Sequence, residues 1–124
     1  TGINPEHFEL TVAGMADAVK FGTCRGINLE PLVEVCGKTG TAENPHGDDH
    51  SLFMGFAPKD NPKVAIAVVV ENGRFGATNA VPIARLMLQK FFNGEVPESD
   101  KWLEQTIMNR EILPYVYTRN IPSK

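Results

Sequence analysis

Apolar positions near the start of the chain recur at three- and four-residue steps. Phe8, Val12, Met15 and Val19 fall on one side of a 3.6-residue period, which predicts an amphipathic helix over Pro5–Phe21. Asn4 is a favoured N-cap, and Pro5 occupies the first helical position, where its missing N–H costs nothing. Glu6 complements the positive helix end, and Lys20 followed by Gly22 is a stop signal. After a loop over Gly22–Gly26 the period shortens. Leu32–Thr41 reads as a valine-rich strand, with Val33 and Val35 on one face. In a second strand, Ser51–Ala57, the side chains of Leu52, Met54 and Phe56 alternate with Phe53, Gly55 and Ala57. A third, Lys63–Glu71, is apolar on both faces, and such a strand needs cover on both sides.

The connections are short and rich in turn residues. Asn44-Pro45 and His46-Gly47 mark the first, and Pro58-Lys59-Asp60-Asn61-Pro62 the second. They predict an antiparallel meander. Beyond the loop Asn72–Gly76, a helix with Thr78 or Asn79 as its cap runs to about Phe92. Its apolar stripe is Val81, Ala84, Leu88 and Phe91, and Asn93-Gly94 ends it. Ser99 is placed to cap a last helix from Asp100 to about Arg110, with an irregular tail after Pro114. The order predicts an α+β fold, an antiparallel sheet with flanking helices. Both long helices are expected together on one face. Residues 1–94 form the expected main body, and residues 95–124 a C-terminal helix and tail.

Composition narrows the function classes. The 124 residues are 42% hydrophobic and 22% charged, as in a folded globular chain. A net charge of −3 gives no basic face for nucleic acid and no polybasic membrane patch. The longest apolar run, Val64–Val70, is strand-sized and far short of a membrane span. No signal peptide pattern is visible. Cys24 and Cys36 lack zinc-finger spacing and are too few for a disulfide scaffold, so they read as small buried thiols.

The segment Gly37-Lys38-Thr39-Gly40-Thr41 carries the candidate chemistry. It is not a phosphate-binding P-loop. That pattern requires a glycine where Leu32 stands and a helix where Glu43-Asn44-Pro45 follows. Lys-Thr-Gly on a strand instead is the third motif of serine penicillin-binding proteins and β-lactamases. Lys38 supplies a fixed positive charge for an anionic acyl donor. Gly40 has no side chain, so an extended peptide can lie against the strand edge. Thr39 and Thr41 offer hydroxyls to a carboxylate.

The wider context resembles one family. Gly37-Lys38-Thr39-Gly40-Thr41-Ala42-Glu43 is similar to the motif as it stands in class B penicillin-binding proteins of the elongation type. Segments in the same order extend the resemblance over roughly residues 10–92: Gly14-Met15, Gly22-Thr23, His50–Pro58, Val64–Glu71 and Ala80–Arg85. The resemblance implies the penicillin-recognising serine transpeptidase fold and a D,D-transpeptidase that cross-links peptidoglycan through a serine acyl-enzyme. Its substrate would be a stem peptide ending in D-Ala-D-Ala, which β-lactams mimic. It implies no metal and no organic cofactor. It also implies a home on the outer face of the bacterial cytoplasmic membrane, through an N-terminal anchor helix.

Within that resemblance, Lys38 holds the substrate carboxylate and sets the field around the proton-shuttling groups. Thr39 and Thr41 hydrogen-bond the carboxylate, Gly40 lets the peptide approach, and the Thr41 backbone N–H is one oxyanion donor. The family's nucleophile motif, Ser-x-x-Lys, and its second motif, Ser-x-Asn, do not occur among Ser51, Ser99 and Ser123. Acyl transfer needs an activated nucleophile. The chain is therefore expected to be the C-terminal part of a transpeptidase domain, silent alone and partnered by the upstream half of that domain. One sheet face, or the edge at Lys38–Thr41, is expected to lie open and to favour association. The alternatives on the same fold are a β-lactam-sensing or peptidoglycan-binding module and a secreted β-lactamase.

Other candidates carry less. His46, Asp48, Asp49 and His50 include metal-ligand types, but their spacing fits no fixed ligand geometry and reads as a solvated loop. Arg74, Phe75 and Asn79 read as a plain loop, Trp102 as a packing anchor and His7 as an exposed first-turn residue.

Overall fold

The computed structural model of the chain describes residues 2–112, so the tail expected after Pro114 lies outside the described residues. The elements are α1 (Pro5–Lys20), β1 (Cys36–Ala42), β2 (His50–Ala57), β3 (Val64–Val70), α2 (Ala80–Asn93) and α3 (Lys101–Met108). Short 3-10 turns at Arg25–Ile27 and Glu98–Asp100 precede β1 and α3. The strands form one antiparallel sheet in the order β1-β2-β3, as the turn signals predict. Among the described residues no helix is long and apolar enough to cross a membrane.

Local chemistry sets the element ends. The Asn4 side chain accepts from the Glu6 N–H at 3.2 Å and opens α1. Gly94 closes α2 in the left-handed conformation (φ 80°). The first strand begins four residues later than its valine pattern implies. Around Pro31, which has no N–H, the chain turns back instead. The Leu29 carbonyl accepts from the Leu32 and Val33 N–H groups at 2.8 and 3.3 Å, and an isolated bridge joins Leu29 to Val33. Val33 and Val35 are still buried, but ahead of the ladder rather than in it.

Register fixes which residues share a face. Thr39, Phe53 and Val68 stand in one row, and Lys38, Met54 and Ala67 in the next, on the opposite face. Helix α2 covers the Phe53 face. Its Val81, Ala84 and Leu88 are buried in one cluster with Phe53, Val68 and Ile27. The stripe continues to Phe92, four residues after Leu88, while Phe91 is exposed. Arg85 ties the 3-10 turn to this layer through Nη1, which donates to the carbonyls of Gly26 and Asn28 at 3.3 and 2.9 Å.

Helix α1 meets the sheet from the other side, so the two long helices do not share a face. The Cys36 thiol donates to the Val12 carbonyl at 3.8 Å, and Met15 lines a groove with Met54, Phe56 and Ala67. All these strand residues are on the face away from Phe53. An apolar stripe shows that a helix is buried, not which sheet face it meets. The loop after α1 then crosses the edge of β1 and delivers the 3-10 turn to the α2 side. Cys24 and Cys36 are both buried and free, and burial pushes the Cys36 thiol up from its ordinary value.

The α1 face is only partly covered, although the doubly apolar third strand calls for cover on both sides. Met54 is 61% and Val69 62% exposed, and Ala65 and Ala67 beside them are exposed too. Trp102, expected to anchor packing, is 63% exposed, and α3 buries none of its residues fully. What holds α3 is a polar clamp. Asp100 Oδ2 accepts from Arg85 Nε and from Gln89 Nε2, each at 2.6 Å. Ser99 does not cap the helix; Asp100 is the cap residue and spends its carboxylate on α2.

Candidate functional site: the Lys-Thr-Gly strand

The motif Lys38-Thr39-Gly40 is part of β1, which is the edge of the sheet and pairs only with β2. Its other edge has no strand against it among the described residues, and an unpaired edge is where an extended ligand pairs with a sheet. Packing beneath the strand is tight. A Cβ placed on Gly37 would come within 2.5 Å of the Phe53 ring, and one on Gly55 would come as near to the Cys36 carbonyl. The two glycines face each other across the ladder and make room for the buried Phe53. That contact holds the backbone in place one residue before Lys38.

Lys38 is exposed, and its ammonium donates to the Thr39 carbonyl at 2.7 Å. It stands on the open face, in the row of Met54 and Ala67. Gly40 shares that face, whereas Thr39 and Thr41 point to the other. Thr41 is exposed and Thr39 half-buried. The four motif residues named from the sequence therefore divide between the two sides of one edge strand.

Two loops close on Thr39. Its Oγ1 lies 2.8 Å from the Thr23 Oγ1, in the loop that crosses from α1. On the other side is Gly76, where a Cβ would fall 3.0 Å from the Thr39 Cβ and 2.8 Å from the Gly40 carbonyl. Only glycine lets the β3–α2 loop pass there. A groove of ≈ 560 Å³, lined by Phe21, Gly22, Thr23, Arg25, Gly26 and Ala77, opens beside this contact. Sequence reasoning assigned no role to Thr23 or Gly76. Gly22-Thr23 appeared in the family resemblance, but nothing local shows that it meets a residue sixteen positions away.

The same loop is fastened by Ser51, which is fully buried in β2. Its Oγ donates to the Phe75 carbonyl and accepts the Ala80 N–H, both at 3.0 Å. It thereby caps α2 from a neighbouring strand, while the Asn79 side chain donates to the Gly73 carbonyl at 2.6 Å. Asn79 and Phe75 are thus fixed parts of the support rather than a plain loop.

The polar loop between β1 and β2 is likewise more than solvated. Asp49 Oδ1 accepts the Asn44 N–H at 3.2 Å, and Asp48 Oδ2 pairs with Arg74 Nε at 3.2 Å. His50 Nδ1 accepts the Asn72 N–H at 3.0 Å. These side chains turn to separate partners, and among the described residues no three metal-ligand types converge. The bonds join the β1–β2 and β3–α2 loops at the far end of the motif strand. His7 is exposed, as expected.

Comparison with known proteins agrees with this geometry. Residues 1–89 match the model of the penicillin binding protein transpeptidase domain. The peptidoglycan D,D-transpeptidase MrdA of Acinetobacter baumannii is 43% identical over an alignment covering 53% of this chain and 12% of that protein. The structure of Pseudomonas aeruginosa PBP2 in complex with WCK 5153 superposes with a TM-score of 0.65 at 34% identity, covering 77% of this chain and 22% of that one. The ceftriaxone acyl-enzyme of penicillin-binding protein A from Mycobacterium tuberculosis gives 0.61 at 34% identity, covering 70% and 21%. The chain spans 12% to 17% of the length of the first curated relatives it matches. The fold, the motif on its edge strand and the match over residues 1–89 agree, and the chain belongs to the penicillin-binding protein transpeptidase domain family.

Proposed function

We propose that this chain supplies the Lys-Thr-Gly wall of a peptidoglycan D,D-transpeptidase that works through a serine acyl-enzyme and is acylated by β-lactams. The observation that carries the reading is the motif's place on a sheet edge with no neighbouring strand. A stem peptide or β-lactam lies along that edge. Lys38 and Thr39 bind its carboxylate together with Thr41, and Gly40 admits its backbone. The Thr41 N–H serves the oxyanion, where losing one donor costs about 2.7–4 kcal/mol of transition-state stabilisation. The named relatives are transpeptidases, which leaves the sensing-module reading without support.

The open face supports the same reading. Lys38 shares it with Met54, Ala67 and Val69, and exposed apolar strand residues call for a cover. The proposed cover is the upstream half of the same domain, carrying the nucleophile. A body seated there also encloses the Lys38 ammonium. An acyl-enzyme route needs no metal, and stem peptides place the enzyme at the outer face of the cytoplasmic membrane.

Labelling tests the reading. A fluorescent penicillin is expected to leave the 124-residue chain unlabelled, since no serine in it stands in a Ser-x-x-Lys motif. The intact protein is expected to form a stable adduct on one serine outside residues 1–124, located by peptide mass mapping. An adduct on Ser51, Ser99 or Ser123, or an intact protein that does not label, would refute it.

A further inference from the structure

The contact between Thr23 and Thr39 has a direction once a ligand is present. Either hydroxyl can donate or accept. A carboxylate only accepts. When Thr39 donates its proton to the ligand carboxylate, the proton between the two threonines comes from Thr23. Thr39 then gives one bond and receives one, which fixes its rotamer, and each bond polarises the other.

Thr23 is pre-placed for this. The Ala18 carbonyl at the end of α1 accepts from the Gly22 and Cys24 N–H groups at 3.1 and 3.0 Å, one residue on either side of Thr23. Cys24 is fully buried and pins the loop to the core. Thr23 itself is exposed, so burial gives no reason for its identity. Across the strand, the β3–α2 loop passes so near that a Cβ on Gly76 would fall 3.0 Å from the Thr39 Cβ. A ligand-binding hydroxyl held between an anchored donor and a rigid loop is preorganised, and preorganisation is what makes such a group effective.

We propose that Thr23 is a positioning residue for the motif: it donates to Thr39 Oγ1 so that the Thr39 proton is aimed at the carboxylate of the bound acyl donor. The proposal rests on the reading of the motif strand given above.

The test uses the intact transpeptidase and a fluorescent penicillin, with binding and acylation constants resolved by stopped flow. Thr23→Val keeps the shape and removes the hydroxyl. It is expected to lower acylation efficiency roughly five- to tenfold, the scale of one hydrogen bond. Its thermal midpoint is expected to stay at the wild-type value. Thr23→Ser restores the hydroxyl and is expected to recover acylation to within about twofold of wild type. Thr39→Val is expected to lose roughly ten- to a hundredfold, as for a bond to a charged partner. Adding Thr23→Val to it costs nothing further, because Thr23 acts only through Thr39. Wild-type acylation by Thr23→Val, failure of Thr23→Ser to recover, or full additivity of the two valine variants overturns the proposal. A wild-type protein that does not label at all overturns the underlying reading, and the positioning role with it.

Discussion

Lys38→Ala in the intact protein is expected to slow acylation by penicillin on the order of a hundredfold or more, the scale seen when a preorganised electrostatic group is removed. Lys38 is exposed in this chain, and its ammonium rests on the Thr39 carbonyl at 2.7 Å. It shares a face with Met54 and Ala67, which are also exposed. A body that covers those apolar residues removes water from around the ammonium too. The attraction between the ammonium and a ligand carboxylate then rises, because it scales inversely with the local dielectric. The ammonium is also held by its bond to the strand backbone, so little reorganisation is needed as charge develops. The side chain makes no contribution to the core, so the variant's thermal midpoint is expected within about 2 °C of wild type. Second-order acylation constants measured beside a melting curve decide the matter. A variant that acylates at the wild-type rate would remove Lys38 from the site.

The parts of this molecule that were legible in the sequence are those set by short-range chemistry. Asn4 and Pro5 start α1, Asn93-Gly94 ends α2, and the alternation over Ser51–Ala57 gives the strand that is found. The motif is legible for the same reason: its chemistry is carried by consecutive residues on one strand. What the pattern does not encode is which surfaces meet. The α1 stripe predicts burial correctly at Val19 but not the face of the sheet that receives it. Val33 and Val35 look like strand residues because β propensity follows side-chain shape, yet both precede the ladder, and the Val33 N–H is spent on the turn at Pro31. Trp102 looks like an anchor by size alone. Thr23, Ser51 and Gly76 matter through partners sixteen to thirty-seven positions away, and no local period reports such contacts.

Asp100 is the clearest case, because its residue type fits a helix cap and its carboxylate does something else. Asp100→Ala in the intact protein is expected to cost about 3 kcal/mol at neutral pH, the low end of the range for breaking a buried ion pair. The low end applies because Arg85 keeps two backbone acceptors, the Gly26 and Asn28 carbonyls. Gln89 fares worse. Its Oε1 already lacks a partner among the described residues, and the variant strands its Nε2 as well. The pH dependence follows from the state of the carboxyl. Burial alone would raise it, but the hydrogen bonds from Arg85 and Gln89 and the Arg85 charge outweigh burial and hold it below its ordinary 3.8. A carboxyl depressed in the folded state stabilises above its unfolded value and loses that stabilisation as pH falls through the folded one. The gap between wild type and variant is therefore expected to be constant above the ordinary value of 3.8 and to narrow in stronger acid. Urea midpoints at neutral pH and in acid below that value measure it. A gap that is the same at both, or that is under about 1 kcal/mol at neutral pH, would show that the clamp does not hold α3 to α2.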